Sequence, residues 1–130
     1  MAKIRTDETD GLTVHDVMHA KFSALPATAT VGDVRDWFAA STSRRLAFVA
    51  DDDGGYVGSL TRAHVAGGDP ALPAADVADS GPTVSPAESA TTGRDIALRT
   101  DARRVPVVDE GRLVGVVAVT GDLQNFCGTG

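Results

Sequence analysis

The sequence predicts an α/β (α+β) fold built from two like halves of the βαββα type. Two observations carry that prediction: apolar residues whose spacing switches back and forth between helical and strand periods, and a block of sequence that occurs twice. Residues 103–123 read RRVPVVDEGRLVGVVAVTGDL, and residues 44–65 read RRLAFVADDDGGYVGSLTRAHV. Each copy runs through an arginine pair, an apolar strand, an acidic glycine turn and an apolar strand containing Val-Gly, then starts a helix. Arg44-Arg45 answers Arg103-Arg104, and Val57-Gly58 answers Val114-Gly115. Further back, Asp16-Val17-Met18 answers Asp76-Val77-Ala78, and Pro26 answers Pro86.

Taken in order, Thr13 and Asp16 predict a capped short helix over Val14–His19, with Val14, Val17 and Met18 on its buried face. Phe22–Pro26 reads as a brief strand stopped by proline. Val31, Val34, Trp37 and Phe38 recur at helical spacing opposite Asp33, Arg35 and Asp36, so a helix runs from Thr30 to near Ser41–Ser43. Leu46–Ala50 and Tyr56–Leu60 flank Asp51-Asp52-Asp53-Gly54-Gly55, a hairpin signal. Thr61 caps a helix to about Val65, and the Gly- and Pro-rich run 67–73 is a connection. The second pass places a helix at Ala75–Ala78 and a strand at Pro82–Val84. A longer helix follows to about Thr100, starting at Ser85 by its Ser-x-x-Glu spacing or nearer Ser89 by the parallel with the first pass. Gly93 and several threonines weaken that helix, so packing must hold it. Val105–Val108 and Leu113–Val117 form the second hairpin, and Thr120–Phe126 closes as a short helix.

At 130 residues the chain suits one body with a real core, and its 42% hydrophobic and 23% charged content is that of a globular domain. A net charge of −6 and a pI of about 4.8 argue against nucleic-acid and anionic-membrane partners, both of which need a basic footprint. The single cysteine, Cys127, permits no internal disulfide and lacks an activating neighbour. With no signal-peptide core and no apolar run of membrane length, the expected location is cytoplasmic. The expected division is a mobile lead-in at 1–11, repeat one at 12–67, a linker at 68–74, repeat two at 75–126 and a frayed tail at 127–130.

The ordered set Asp16-Val17-Met18, Pro26, Arg104-Val105-Pro106-Val107-Val108-Asp109, Gly111 and Leu113-Val114-Gly115 resembles the spelling of cystathionine-β-synthase-type (CBS) domains. The resemblance covers residues 12–126 and occurs twice, so the chain is similar to a tandem CBS pair. It implies two repeats with small sheets packed about a pseudo-twofold axis, inter-repeat clefts that hold adenosine nucleotides in many relatives, homodimerisation, and regulation of a partner protein. No cofactor is required; AMP, ADP, ATP or a related adenosine compound is the implied ligand.

In that family the ribose is held by the aspartate of a Gly-x-x-Thr-x-x-Asp segment. Repeat one keeps Thr61 but has His64 at the aspartate place, and a neutral imidazole cannot clamp a diol as a carboxylate does. Repeat two has Ala118 and Gly121 at those places, with Thr120 and Asp122 the nearest replacements. Arg45 and Arg104, one from each pair, suit phosphate; covering strand ends is their plainer role. Thr83, Val84 and Leu25 line the adenine slot by analogy, or simply fill the core. His15 and His19 share metal-ligand spacing without a third ligand, and Asp51–Asp53 lacks the ligand pattern of a calcium loop. No nucleophile, phosphate-loop or paired-carboxylate motif appears, so a non-enzymatic role is expected. The rival to a nucleotide sensor is a dimerisation scaffold whose nucleotide sites have decayed.

Overall fold

The computed structural model describes residues 4–127. Its elements are α1 (Val14–Val17), β1 (Ala24–Pro26), α2 (Val31–Ala39), β2 (Ala47–Ala50), β3 (Tyr56–Leu60), α3 (Arg62–Val65), α4 (Ala74–Val77), α5 (Ala90–Arg99), β4 (Arg104–Asp109) and β5 (Arg112–Ala118). Two compact units result among the described residues, one from 4–22 with 82–127, the other from 23–81. Packing and sequence repeat therefore divide the chain differently: the first helix of each repeat joins the hairpin of the other.

The unit formed by residues 23–81 holds a sheet in the order β1-β2-β3, with β1 parallel to β2 and β3 antiparallel to it. Val31, Val34 and Phe38 of α2 face Ala47, Val49, Leu60, Val65 and Ala74, a periodic apolar face meeting a short sheet. Helix α2 starts where Thr30 accepts the Asp33 N–H (3.2 Å) and donates its own N–H to the Asp33 carboxylate (2.9 Å), a reciprocal cap. The 67–73 connection is pinned there, since Val31 and Gly32 donate N–H groups to Leu72 and Pro70, and Ala74 donates to Ala29.

The other unit repeats this scheme. Val14 and His15 donate to Glu88 and Pro86, and Ala90 donates to Leu12, so α1 and α5 start side by side as α2 and α4 do. Its core joins Val14 and Val17 to Val84, Val105, Val107, Val117 and Phe126. Gly93 lets α5 approach α1 closely, because a Cβ there would lie 3.0 Å from the Val14 side chain. Strands β4 and β5 pair through a two-residue turn in which Glu110 (φ 51°) and Gly111 (φ 80°) both take the left-handed conformation of a tight hairpin.

Two expectations change and one open choice is decided. The strand at Pro82–Val84 reduces to one parallel bridge from Val84 to Val107, since Pro82 and Thr83 are exposed and add no packing. Of the two starts left open for the long helix of repeat two, Ser89 is the one that caps it, and the Glu88 carboxylate accepts the Ser85 N–H (2.6 Å) in the preceding turn. No closing helix forms at Thr120–Phe126. With alanine at 118 there is no threonine to cap a helix, so β5 runs one residue past the point where β3 ends. The chain then folds back, Thr120 donating to Asn125 and Cys127 to Ala118. Residues 4–6 of the expected lead-in bind that segment, Thr6 donating to Gln124 and accepting from Arg94, while Phe126 donates to Ile4. Thr9 is buried, with its hydroxyl 2.7 Å from that of Thr91. Residues 1–3 of the lead-in and 128–130 of the tail lie outside the described residues.

Candidate functional site

In the unit of residues 23–81, Arg45, Thr61 and His64 lie at one end of the sheet, whereas Leu25 pairs with Val49 further along β2. Ala47 pairs with Leu60, so Arg45, just before β2, and Thr61, just after β3, lie at the same end. Arg44 and Arg45 do different work. Arg44 donates from Nη1 to the Trp37 carbonyl (2.5 Å) and lies 4.5 Å over the Trp37 ring, which ties it to the end of α2. Arg45 is exposed and has no hydrogen-bond or ionic partner among the described residues. The other pair behaves alike in its first member: Arg103 donates to the Leu98 carbonyl near the end of α5. Arg104 donates from Nη1 to Ala102 (2.8 Å). A cation at the last carbonyls of a helix is favoured by its dipole, so the first arginine of each pair serves the fold.

Thr61 and His64 form a reciprocal cap at the start of α3. The Thr61 hydroxyl accepts the His64 N–H (3.3 Å), and His64 Nδ1 accepts the Thr61 N–H (3.1 Å). That bond puts the proton of the neutral ring on Nε2, leaving one outward donor and no acceptor. The same spacing with aspartate appears at Thr30-Asp33 and at Thr13-Asp16, where the carboxylate accepts the Thr13 N–H (2.8 Å) and hydroxyl (3.1 Å). Those bonds hold the Asp16 carboxyl below its ordinary range. In this chain Thr-x-x-Asp is thus a helix-starting device first, and His64 takes over that duty in α3.

In the other unit, Arg104 pairs with Ala118, so Thr120 and Asp122 follow at the same end of the hairpin. The Thr120 hydroxyl donates to Asp122 Oδ1 (2.5 Å), which also accepts the Gln124 N–H (3.0 Å). Asp122 is exposed in a turn rather than at a helix start. Thr83 is exposed, but Val84 is only 2% exposed and belongs to the core. Its N–H and carbonyl are both used, by Pro106 and Val108, so Val84 offers a packed floor rather than a contact surface. Leu25 is half-buried against its own core.

A feature the sequence did not single out lies between α2 and α3. Arg35, Phe38, Arg62, Val65 and Ala66 line a cavity of about 170 Å³. Helical spacing placed Arg35 on the polar face of α2, but nothing in the spacing shows where a guanidinium will find carbonyl partners. Among the described residues, no three His, Cys, Asp or Glu side chains are grouped to hold a metal ion, and no helix is long and apolar enough to cross a membrane.

Residues 74–120 match the family model described as CBS domain. No curated protein matches the chain. Among solved structures, the cystathionine β-synthase pair domain of a Shewanella oneidensis MR-1 protein is 17% identical with a TM-score of 0.74, covering 86% of this chain and 68% of that one. Hypoxic Response Protein I with two coordinated zinc ions is 27% identical (TM-score 0.70; 82% of this chain, 92% of that one). CBSX2 in complex with AMP, a protein of Arabidopsis thaliana, is 21% identical (TM-score 0.69; 83% and 90%). The small mixed sheets and these matches agree: residues 74–120 are similar to a CBS domain, and the chain has the fold of a CBS pair.

Proposed function

We propose that this protein is a small regulatory module that binds an adenosine-containing nucleotide, AMP, ADP, ATP or a related compound, and passes its occupancy to a partner protein. The supporting observation is the division of labour in the first arginine pair: Arg44 is spent on α2, while Arg45 stands without a partner beside the Thr61–His64 turn. A phosphate would take Arg45, the ribose the outward Nε2–H of His64, and adenine the apolar edge near Leu25. Thr83, Arg104, Thr120 and Asp122, above the floor made by Val84, form the corresponding set on the other unit. The AMP complex of CBSX2, a structural neighbour, adds support by analogy. In this proposal the protein is a cytoplasmic homodimer without catalytic activity. A ligand shifts its equilibrium only by the difference in affinity between two arrangements.

The second reading is a dimerisation scaffold with decayed nucleotide sites. One observation favours it: His64 has committed its acceptor nitrogen to the cap, so the unit of residues 23–81 has no carboxylate at the ribose place. A thermal-shift panel of AMP, ADP, ATP, NAD and S-adenosylmethionine separates the two. A ligand at about 100 times its dissociation constant adds ~2.7 kcal/mol to folded-state stability, a shift of several degrees for a domain of this size. Absence of any shift at millimolar concentration leaves the scaffold.

A further inference from the structure

We infer that residues 4–6 form a strap that holds the Thr120–Asn125 turn in a strained shape, and that docking of this strap is coupled to occupancy of the site to which the turn contributes Asp122. The coupling rests on the proposed nucleotide reading; the strap itself does not.

The turn is strained at one place. Leu123 takes φ 65°, the left-handed region that a leucine enters only at a cost, although Gly121 stands two residues earlier and does not take a positive φ. Packing does not hold Leu123 there, because its side chain is 42% exposed. Its backbone bonds do: the N–H donates to the Thr120 carbonyl (2.8 Å), and the carbonyl accepts the Thr6 hydroxyl (2.8 Å). Such outliers persist only where the surroundings over-determine them, and they collect at ligand clamps and switch segments.

The strap supplies that constraint. Arg5 and Asn125 form an antiparallel bridge, Thr6 donates its N–H to the Gln124 carbonyl (2.8 Å), and Phe126 donates to Ile4 (2.9 Å). Arg94 of α5 donates from Nη1 to the Thr6 carbonyl (2.9 Å), so Thr6 ties the turn to that helix. Ile4 and Thr6 are half-buried and Arg5 is exposed, which puts the strap at the margin of the core, where local opening costs least.

Asp122 shares the constraint. Its Oδ1 accepts the Thr120 hydroxyl (2.5 Å) and the Gln124 N–H (3.0 Å), and the Gln124 carbonyl is the one that takes the Thr6 N–H. When the strap lifts, Leu123 relaxes to negative φ, the peptide groups beside it turn, and the Gln124 N–H leaves the carboxylate. Strap docked and strap lifted are therefore two states that place Asp122 differently. A nucleotide that prefers one placement holds the strap down, and the docked strap raises affinity for the nucleotide by the same factor. Plain packing explains Phe126, which is fully buried, and Ile4 against the same core. It does not explain strain at an exposed leucine beside the carboxylate.

The test is amide hydrogen exchange followed by NMR on the full chain, with and without AMP. Without ligand, the amides of Thr6, Leu123, Gln124, Asn125 and Phe126 are expected to exchange together, and faster than those of Val84, Val108 and Val116, whose N–H groups bond inside the core. Thr6→Val removes the hydroxyl and should speed the turn amides about fivefold with the core amides unchanged. Leu123→Gly accepts positive φ and should slow them about threefold, offsetting part of the effect of Thr6→Val when the two are combined. Saturating AMP should slow the turn amides at least about tenfold. Turn amides that exchange no faster than the core, or that ignore both substitutions, overturn the strap; should Thr6→Val fail to fold, Leu123→Gly decides alone. AMP that binds and leaves the turn amides unchanged overturns the coupling. Failure of AMP to bind counts against the proposed function, and the ligand-free rates then decide the strap.

Discussion

Replacing Gly58 by alanine tests how each unit is put together. Gly58 lies on β3 where the residues after α4 cross it, and an added Cβ would sit 2.8 Å from Ala78 Cβ and 3.1 Å from the Asp79 carbonyl oxygen. The two segments cannot simply part. Ser59 and Asp79 exchange N–H···O bonds of 2.9 Å in both directions, so relief of the clash strains or breaks that pair. Overpacking of this kind costs ~1–3 kcal/mol, offset by about 0.4–1 kcal/mol from the stiffer unfolded chain, which leaves a net loss of roughly 1–2 kcal/mol. Ala78→Gly removes the nearest atom. In urea unfolding at constant m-value, Gly58→Ala combined with Ala78→Gly should be more stable than the sum of the single changes predicts, by about 1 kcal/mol. Gly115→Ala is the matching change in the other unit. There the nearest atom is Met18 Sδ at 2.7 Å, the movable end of a flexible side chain, with the His19 carbonyl at 3.1 Å, so a smaller loss is expected. A Gly58→Ala protein as stable as its parent, or strict additivity with Ala78→Gly, would refute the crossing of α4 onto the hairpin of repeat one.

Other predictions follow from single side chains. Thr30→Ala removes the acceptor that caps α2 and should cost about 1 kcal/mol in thermal unfolding, whereas Thr30→Ser should cost a small fraction of that. Tyr56, the only tyrosine, buries a hydroxyl with no hydrogen-bond partner among the described residues, and burial raises its pKa above the ordinary 10.0. Its neutral form is favoured in the folded state, so that stability is present below pH 10.0 and lost as the pH rises through the folded value. Unfolding followed against pH should show this loss in the parent and not in Tyr56→Phe, which should also be at least as stable at neutral pH. His64→Asp should keep the cap, as Asp33 does for Thr30, and supply a carboxylate for ribose; AMP affinity by calorimetry should rise about tenfold.

The duplication was readable because its anchors are local: Arg pairs, acidic glycine turns and Val-Gly steps keep their order in both copies. Thr61 marked a helix start for a physical reason, since a hydroxyl three residues before a free N–H caps it. Glu110-Gly111 marked a tight turn because glycine accepts positive φ without strain. What could not be read was which hairpin each first helix joins. Val14 and Val17 are equally apolar against either core, and only the distant glycines at 58 and 115 admit the crossing segments. The Thr120 segment carried a plausible helix start, yet pairing with residues 4–6 prevailed, a contact between chain ends that no local spacing reveals. In the candidate site, the sequence showed histidine in place of aspartate but not that its Nδ1 is already used. The arginine pairs looked equivalent within each pair; the carbonyls of α2 and α5 distinguish their members.

Calorimetric titration of AMP into the parent protein, Arg45→Gln and Arg44→Gln tests the proposed function most directly. Saturable binding is expected for the parent, with Arg45→Gln binding about tenfold or more weakly and Arg44→Gln losing stability while keeping its affinity. Binding that is untouched by Arg45→Gln, or no heat from the folded parent at millimolar AMP, would contradict it.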